Sequence, residues 1–531
     1  MSQLLGIDLG TSSVKALLAD ETGRVLGQGA AAYAIHRPHP GWAEQSPDDW
    51  WAATGSAVRQ AVAACQEPLA LSAIGLSGQM HGTVLLGPDH EPLAPAIIWP
   101  DRRTQRQVAE ITALLGEQTL IERAGSPVCT GFQAATIRWV QQERPDLWAQ
   151  TRAILAPKDD LRLRLTGELA TDPSDGSGTL LLDVQCRDWS AELLNALDVD
   201  PAQLPPVLPS TAVAGTLTPS AAQALGLEPG IPVVVGAADT ACSAVGAGIT
   251  GQASLLLTIS TGGQLVLPVS RPSVDRAGRI HTFCAALSPR SSGHPERSAC
   301  GRKRPPSKGL GAHQRGQAGW YQMAAILSAG MALRWLRDNV LGLAGPDGYA
   351  QMTAWAETSP PGARGLLFLP YLSGERTPHM DPQARGLWLG LTAAHGRAEL
   401  VRSVLEGVAL ACYDAYKVLE QLGARPERIV MAGGGALSPL WRQITADVFG
   451  LPVAQLLVAD QSACGAALLA GGGIGLVDPA AHDWAAYGPP VEPNPGRHAR
   501  YGELFALFCD AYAKHRTDFA RLEALGQDLA L

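Results

Sequence analysis

Asp8-Leu9-Gly10-Thr11-Ser12-Ser13-Val14-Lys15 is the stretch whose reading decides the fold. Leu4 to Ile7 before it is a short apolar run of strand type, and Val14 to Ala19 after it is another, closing on the turn Asp20-Glu21-Thr22-Gly23. The order is strand, tight loop, strand, turn, strand. A loop of Gly, Thr and Ser between strands can aim backbone N–H groups at phosphate oxygens, with Lys15 adding positive charge. A carboxylate at the end of the first strand, Asp8, can hold a Mg²⁺ ion through water. Taken alone, the same residues read equally as an ordinary β-hairpin. The phosphate reading gains weight only if matching pieces recur downstream.

They do recur. Ala253 to Ile259 reads as a strand, Ser260-Thr261-Gly262-Gly263 as a loop and Gln264 to Val269 as a second strand. Between the two cycles, Ser46-Pro47-Asp48-Asp49 opens a helix that runs to about Cys65, with a capping hydroxyl, a proline in the first turn and acids against the dipole. Leu71 to Leu76 is a strand that ends in the loop Ser77-Gly78-Gln79-Met80-His81-Gly82, and Ala96 to Trp99 leads into Pro100-Asp101. Residues 104–170 are largely helical by their apolar spacing. Ile231 to Val235 is a buried strand that stops at Gly236-Ala237-Ala238-Asp239-Thr240. The later half is expected to hold a helix over Ala324–Leu341, a strand over Leu366–Leu369, a helix over Ala398–Gly423, a strand over Arg428–Met431, a Gly433-Gly434-Gly435 turn and a helix from Pro439. Two similar halves predict an internally duplicated α/β protein.

Composition narrows the function. The chain has 531 residues, 46% of them hydrophobic, which supports large cores and a length prior of two to four domains. The net charge is −8, with no basic stripe on a recognisable helix, and this argues against nucleic acid as the main partner. No signal-type segment or bilayer-spanning apolar run is evident, so the reading is cytoplasmic with no membrane partner. The nine cysteines form no CxxC pair and no metal-type cluster with histidine. Cys65, Cys242, Cys412 and Cys464 sit among apolar residues, as free buried thiols would. One segment breaks the pattern: residues 289–316 carry five Arg and two Lys against one Glu, without periodicity, and read as a disordered basic insert or an aberrant stretch of sequence.

Together these pieces resemble the FGGY family of carbohydrate kinases, within the actin-like ATPase superfamily, over nearly the whole chain except 289–316. The resemblance rests on Gly386-Leu387-Trp388-Leu389-Gly390-Leu391, then Glu399-Leu400, then Ser403-Val404-Leu405-Glu406, which follows the family's second signature. Gly75-Leu76-Ser77-Gly78-Gln79-Met80-His81-Gly82 and Tyr371-Leu372-Ser373-Gly374-Glu375-Arg376-Thr377-Pro378 resemble the xylulokinase branch. The resemblance implies two actin-like, ribonuclease H-like lobes with a catalytic cleft between them. It implies ATP and Mg²⁺ as cofactors, a small sugar as substrate, and phosphorylation of D-xylulose at its terminal hydroxyl in xylose catabolism. A homodimer is the assembly it leaves open. The spans expected are 1–245 for a sugar-binding lobe with the first phosphate loop, 246–475 for a nucleotide lobe and 476–531 for a helical extension.

By position, Asp239 matches the family's catalytic base, and its plain alternative is a helix cap. Asp8 is assigned to Mg²⁺ and catalysis, Gly10, Thr11, Ser12 and Lys15 to the first phosphate loop, and Ser260, Thr261, Gly262 and Gly263 to the second. Gly433, Gly434 and Gly435 resemble the adenosine turn. Gln79, Met80, His81, Trp99, Asp101 and Thr240 are expected along the sugar, with Trp99 stacking on the carbon chain or, in the plainer reading, packing in a core. Four departures stand out. Pro100 stands where Asn is usual, Thr240 stands where Asn commonly follows the base, and Ser260 replaces a glycine. Gln133-Ala134-Ala135-Thr136 lacks the Pro and Lys of the first signature, though Trp139 is kept. The rival readings are a family member acting on another ketose, a polyol or an aldonate, and a non-catalytic sugar- or nucleotide-binding protein. An actin- or chaperone-like ATPase is disfavoured, because neither needs the Gln79-Met80-His81 wall.

Overall fold

The computed structural model describes residues 2–289, 318–343, 345 and 347–529. The basic segment singled out above lies outside them, apart from Pro289. Contacts divide the chain into two compact units that are discontinuous in sequence, whereas the spans drawn from the sequence are continuous. One comprises 1–251, 268–321 and 458–486, the other 252–267, 322–457 and 487–531.

The first unit is built on a mixed sheet in the order Val213–Thr216, Pro232–Val234, Leu71–Gly78, Gln3–Leu9, Ser13–Asp20, Val25–Ala32, with Ala237–Ala238 also pairing to Leu71–Gly78. Gln3–Leu9 runs antiparallel to Ser13–Asp20 and parallel to Leu71–Gly78. Every residue of Gln3–Leu9 is buried, because both faces are covered. Leu5, Ile7 and Leu9 share a core with Trp50, Ala53, Ala57, Val58 and Ala61 of the helix Pro47–Ala64. Strand residues alternate sides, so Gly6 faces the other way. There the helix Gln461–Gly473 lies on bare backbone: a Cβ at Gly6 would stand 1.8 Å from the Ala463 carbonyl oxygen, and one at Gly75 1.8 Å from that of Ala466. The run Ala463-Cys464-Gly465-Ala466-Ala467 is thus a requirement of close approach, not low complexity.

The second unit repeats the plan. Ser254–Ile259 is antiparallel to Gly263–Val269 and parallel to Arg428–Ala432, which is parallel to Val453–Gln455. A strand, a tight turn, an antiparallel return and a parallel partner to the first strand therefore occur twice, as the internal duplication predicts. One helix expected from sequence is corrected. Trp320–Ile326 is a strand beside Gly263–Val269, and the helix begins only at Gly330. The stretch Met323-Ala324-Ala325-Ile326 has helix propensity, but every residue from Trp320 to Ile326 except Ala325 is buried, and sheet pairing overrides a local preference of tenths of a kcal/mol per residue. The glutamates of the second signature are structural. Glu399 accepts from the Gly396 N–H at the start of the helix Arg397–Gln421. Glu406 is buried and accepts from Arg402, Gly362 N–H and the Tyr501 hydroxyl at 2.7, 3.0 and 2.7 Å. Among the described residues no helix is long and apolar enough to cross a membrane.

Gly6→Ala and Gly75→Ala are expected to destabilise the first unit by about 1–3 kcal/mol or more, since only backbone could yield. Gly502→Ala, on an exposed helical turn with nothing within 4 Å, should leave stability unchanged or raise it. Thermal midpoints of the three variants check the contrast; equal midpoints for Gly6→Ala and the parent would show that the helix does not sit this close.

Candidate active site

In the first unit the sheet register lines up the chemistry. Asp8 is paired with Lys15 on one side and Ser77 on the other, and Ser77 is paired with Ala237, two residues before Asp239. Asp8, Ser77 and Ala237 lie towards the carboxyl ends of parallel strands, where open α/β sheets place ligands. The Ser77 hydroxyl donates to Asp8 Oδ1 at 2.7 Å. Lys15 Nζ pairs with Asp460 Oδ2 at 2.8 Å, and Asp460 also caps the helix Gln461–Gly473. Burial, then the charges of Asp460 and Asp239, push the Asp8 carboxyl up to about 7 against the opposing pull of Ser77 and Lys15. Burial works against the Lys15 charge, but the bond to Asp460 and the fields of Asp460 and Asp8 outweigh it and raise its pKa.

The first loop is shaped for an anion. Gly10 N–H closes on Ser13 C=O at 3.1 Å, and the Tyr33 hydroxyl donates to Gly10 C=O. The N–H groups of Thr11 and Ser12 meet no acceptor among the described residues. Asp239 opens the helix Asp239–Gly246 and is only partly exposed. Its Oδ1 accepts from Thr240 N–H at 2.5 Å and the Thr240 hydroxyl at 3.1 Å. Burial raises the Asp239 carboxyl to about 6 despite those two bonds. Thr240, which departs from the common Asn, thus bonds to Asp239 through both its N–H and its hydroxyl.

Around this row, Gln79 donates to Gln45 Oε1 at 2.9 Å, Gln45 donates to Thr11 C=O at 2.7 Å, and Trp99 Nε1 donates to the Thr11 hydroxyl at 2.9 Å. The Gln79 amide oxygen has no protein partner although buried. Trp99 is 38% exposed, so it is not a core aromatic. His81 adopts φ 72° and stacks on Phe132 with ring centroids 3.7 Å apart. Its Nδ1 lies 2.7 Å from Gly178 C=O, which can only accept, so the proton is on Nδ1. Met80 is buried and takes a weak bond from the Tyr321 hydroxyl.

Asp101 is a correction. Expected to bind a substrate hydroxyl, it is fully buried, and both its oxygens are occupied by Arg103 and by the Ala43 and Arg103 N–H groups. The Arg103 guanidinium stacks 3.6 Å from the Trp42 ring and 5.0 Å from that of Trp139, the retained tryptophan of the first signature. Asp101 anchors this cluster.

In the second unit, Ser260 N–H closes on Gly262 C=O at 2.9 Å. The carbonyls of Ser260 and Thr261 accept from Gly330, Ala329 and Met331 N–H groups, so the loop rests on the start of the next helix. Gly433 has φ +78°, and a Cβ there would stand 2.5 Å from the carbonyl oxygen of Ile259, the residue before Ser260. The glycine turn therefore lies directly over the end of the strand that carries the second loop, and Gly434 faces open space.

The donor set fits a divalent cation in one respect. Asp8, Asp239 and Asp460 outnumber Lys15, and after burial it is the Asp460 and Asp239 charges that raise the Asp8 carboxyl. Among the described residues no group of three or more His, Cys, Asp or Glu forms a metal cage, but Mg²⁺ characteristically takes one or two carboxylates with water and phosphate. Asp460, Ser77 and Gln45 escaped the sequence reading as site residues. Asp460 carries a helix-cap signal just before Gln461-Ser462-Ala463, yet nothing local ties it to Lys15, 445 positions earlier.

Asp101→Ala should cost about 3 kcal/mol, because it strands a buried guanidinium with Glu44 as its remaining carboxylate, while leaving the sugar KM unchanged. Calorimetry and initial-rate kinetics check this. A raised KM at unchanged stability would return Asp101 to the substrate.

Residues 3–246 match the profile of the FGGY family of carbohydrate kinases, N-terminal domain, and 301–473 that of its C-terminal domain. The chain is 38% identical over 447 residues to a xylulose kinase of Escherichia coli K12, covering 84% of each, and 37% identical over 521 residues to one of Klebsiella pneumoniae, covering 98% of each. The crystal structure of a xylulose kinase from Rhodospirillum rubrum matches with a TM-score of 0.85 at 29% identity, over 98% of this chain and 100% of that one. The chain belongs to the FGGY family of carbohydrate kinases and is an ATP-dependent sugar kinase.

Proposed function

We propose that the chain phosphorylates D-xylulose at its terminal hydroxyl, with Asp239 as the base and Asp8 holding Mg²⁺ through water. The observation that carries the chemistry is the register Asp8, Ser77, Ala237, which brings a cation-type carboxylate and a base-type carboxylate to neighbouring strand ends. The sugar is supported by the relatives described as xylulose kinases, at 37–38% identity, and by the Gln79, Met80, His81 and Trp99 wall. The setting proposed is the cytoplasm, where ATP is made.

Thr240 holds one Asp239 oxygen and leaves the other to take the proton of the attacking hydroxyl. In a loose phosphoryl-transfer transition state the proton departs late, so Asp239 works mainly by orienting the hydroxyl. The Thr11 and Ser12 N–H groups, with Lys15 released from Asp460, face the phosphates; the Ser260–Gly263 loop binds phosphate and Gly433–Gly435 the adenosine. Mg²⁺ supplies charge neutralisation on the phosphates when bound. The unpartnered Gln79 oxygen and His81 take sugar hydroxyls, and Trp99 covers the carbon chain.

Asp239→Ala should lower kcat by about 10²–10⁴-fold while nucleotide affinity, read by calorimetry, stays near the parent value. Asp239 holds its proton below about pH 6, so kcat/KM should fall on the acid side of that value and level off above it. An acid limb that survives unchanged in the residual activity of Asp239→Ala would assign it to another group. A coupled ADP-release screen over pentuloses, polyols and aldonates tests the substrate. D-xylulose should give the highest kcat/KM; an aldonate or polyol ahead of it overturns the assignment, and nucleotide binding without turnover on any sugar favours the non-catalytic reading.

A further inference from the structure

The short segment that delivers Asp239 is fastened from behind at several points. Val235 N–H donates to Ala212 C=O, and Gly236 N–H to Ser210 C=O, both at 2.9 Å. Val235 C=O accepts from Lys158 Nζ at 3.2 Å. Ala238 N–H, adjacent to the base, donates not to a neighbouring strand but to the Ser174 hydroxyl oxygen at 2.9 Å. Ser174 in turn donates to Asp172 Oδ2 at 2.5 Å, and Ser210 donates to the same oxygen at 2.8 Å. One fully buried carboxylate thus holds both serines whose groups fasten the approach to Asp239. The same Asp172 caps the turn Pro173–Gly178, whose last residue is the Gly178 whose C=O accepts the hydrogen bond of His81 Nδ1.

We propose that Ser174, held by Asp172, is a positioning residue for Asp239, acting through the Ala238 amide. The inference rests on the reading of Asp239 as the base. A serine hydroxyl has one proton and two lone pairs, and here the proton goes to Asp172 and a lone pair to Ala238. With its proton committed to Asp172, the hydroxyl can meet the Ala238 N–H only as an acceptor, and the bridge has one orientation. Rotation about the Ala238 backbone is what would re-aim the Asp239 carboxylate, and the bond to Ser174 opposes that rotation. Because Ser174 touches neither sugar nor nucleotide in this reading, its loss should change the alignment of the reacting groups and not the affinity for either.

The test uses the full chain. Ser174→Ala is expected to lower kcat by about 10–100-fold with KM for D-xylulose and for ATP nearly unchanged, the scale expected of a misplacement below about 1 Å. Ser174→Thr, which keeps the hydroxyl, should recover most of the rate. Should Ser174→Ala not fold, Ser174→Cys has nearly the same shape and a weak hydrogen-bonding group, and should show the same loss in kcat. In an Asp239→Ala background, Ser174→Ala should bring no further loss, because there is no carboxylate left to aim. Parent-like kcat in both the Ala and Cys variants overturns the proposal, as does a loss of the same size with and without Asp239. If Asp239→Ala itself turns over normally, the assignment of the base fails, and that result is separable from a failure confined to Ser174.

Discussion

The lateral register of three strand ends is the constraint on which the first unit depends. Asp8 stands beside Ser77, and Ser77 beside Ala237. A slip of one residue in either pairing would turn Asp8 or the approach to Asp239 to the opposite face of the sheet. The register is held in turn by packing that tolerates no adjustment, since Gly6 and Gly75 meet the helix Gln461–Gly473 backbone to backbone. That helix also brings Asp460, its own cap, to Lys15. One contact surface therefore sets both strand alignment and local charge.

The electrostatics follow from this arrangement. Three carboxylates share a partly dry region with one ammonium, and burial first, then the neighbouring carboxylates, drives Asp8 towards neutrality. Such an imbalance of buried charge works against stability, and perturbed carboxylates of this kind are common at functional sites. The buried charges behind it are of another kind. Lys158 lies 2.7 Å from Asp159, 3.3 Å from Asp175 and 3.5 Å from Asp172, all fully or almost fully buried. Their fields hold Lys158 charged, well above its usual range, despite complete burial. Arg162 adds a second cation on Asp159, and burial, with the charges of Asp172 and Asp159, pushes the Asp175 carboxyl well up towards its neutral form, so these groups fix backbone with little net charge.

The second unit shows how a signature can be diagnostic without being chemical. Glu399 and Glu406 anchor helix ends and loop N–H groups. Asp101 gives the same lesson in the first unit. An acid near a substrate motif reads as a substrate ligand, and the fold instead uses it to hold Arg103 against Trp42. A carboxylate's type and neighbourhood in sequence do not reveal which cation the fold will bring to it.

The sequence by itself determined the duplicated strand–loop–strand plan, the strand end before Asp239 and the family, because each is written in contiguous residues with a local physical meaning. Only the tertiary structure decided that Trp320–Ile326 is a strand, that Arg103 occupies Asp101, that Lys15 meets Asp460, that Ser77 meets Asp8 and that Gln45 joins Thr11 to Gln79. Each of these turns on a partner far along the chain. Sheet pairing overrode the helix preference of an alanine-rich stretch, and the charge on a buried side chain was answered by whichever opposite charge the packing brought within about 3 Å.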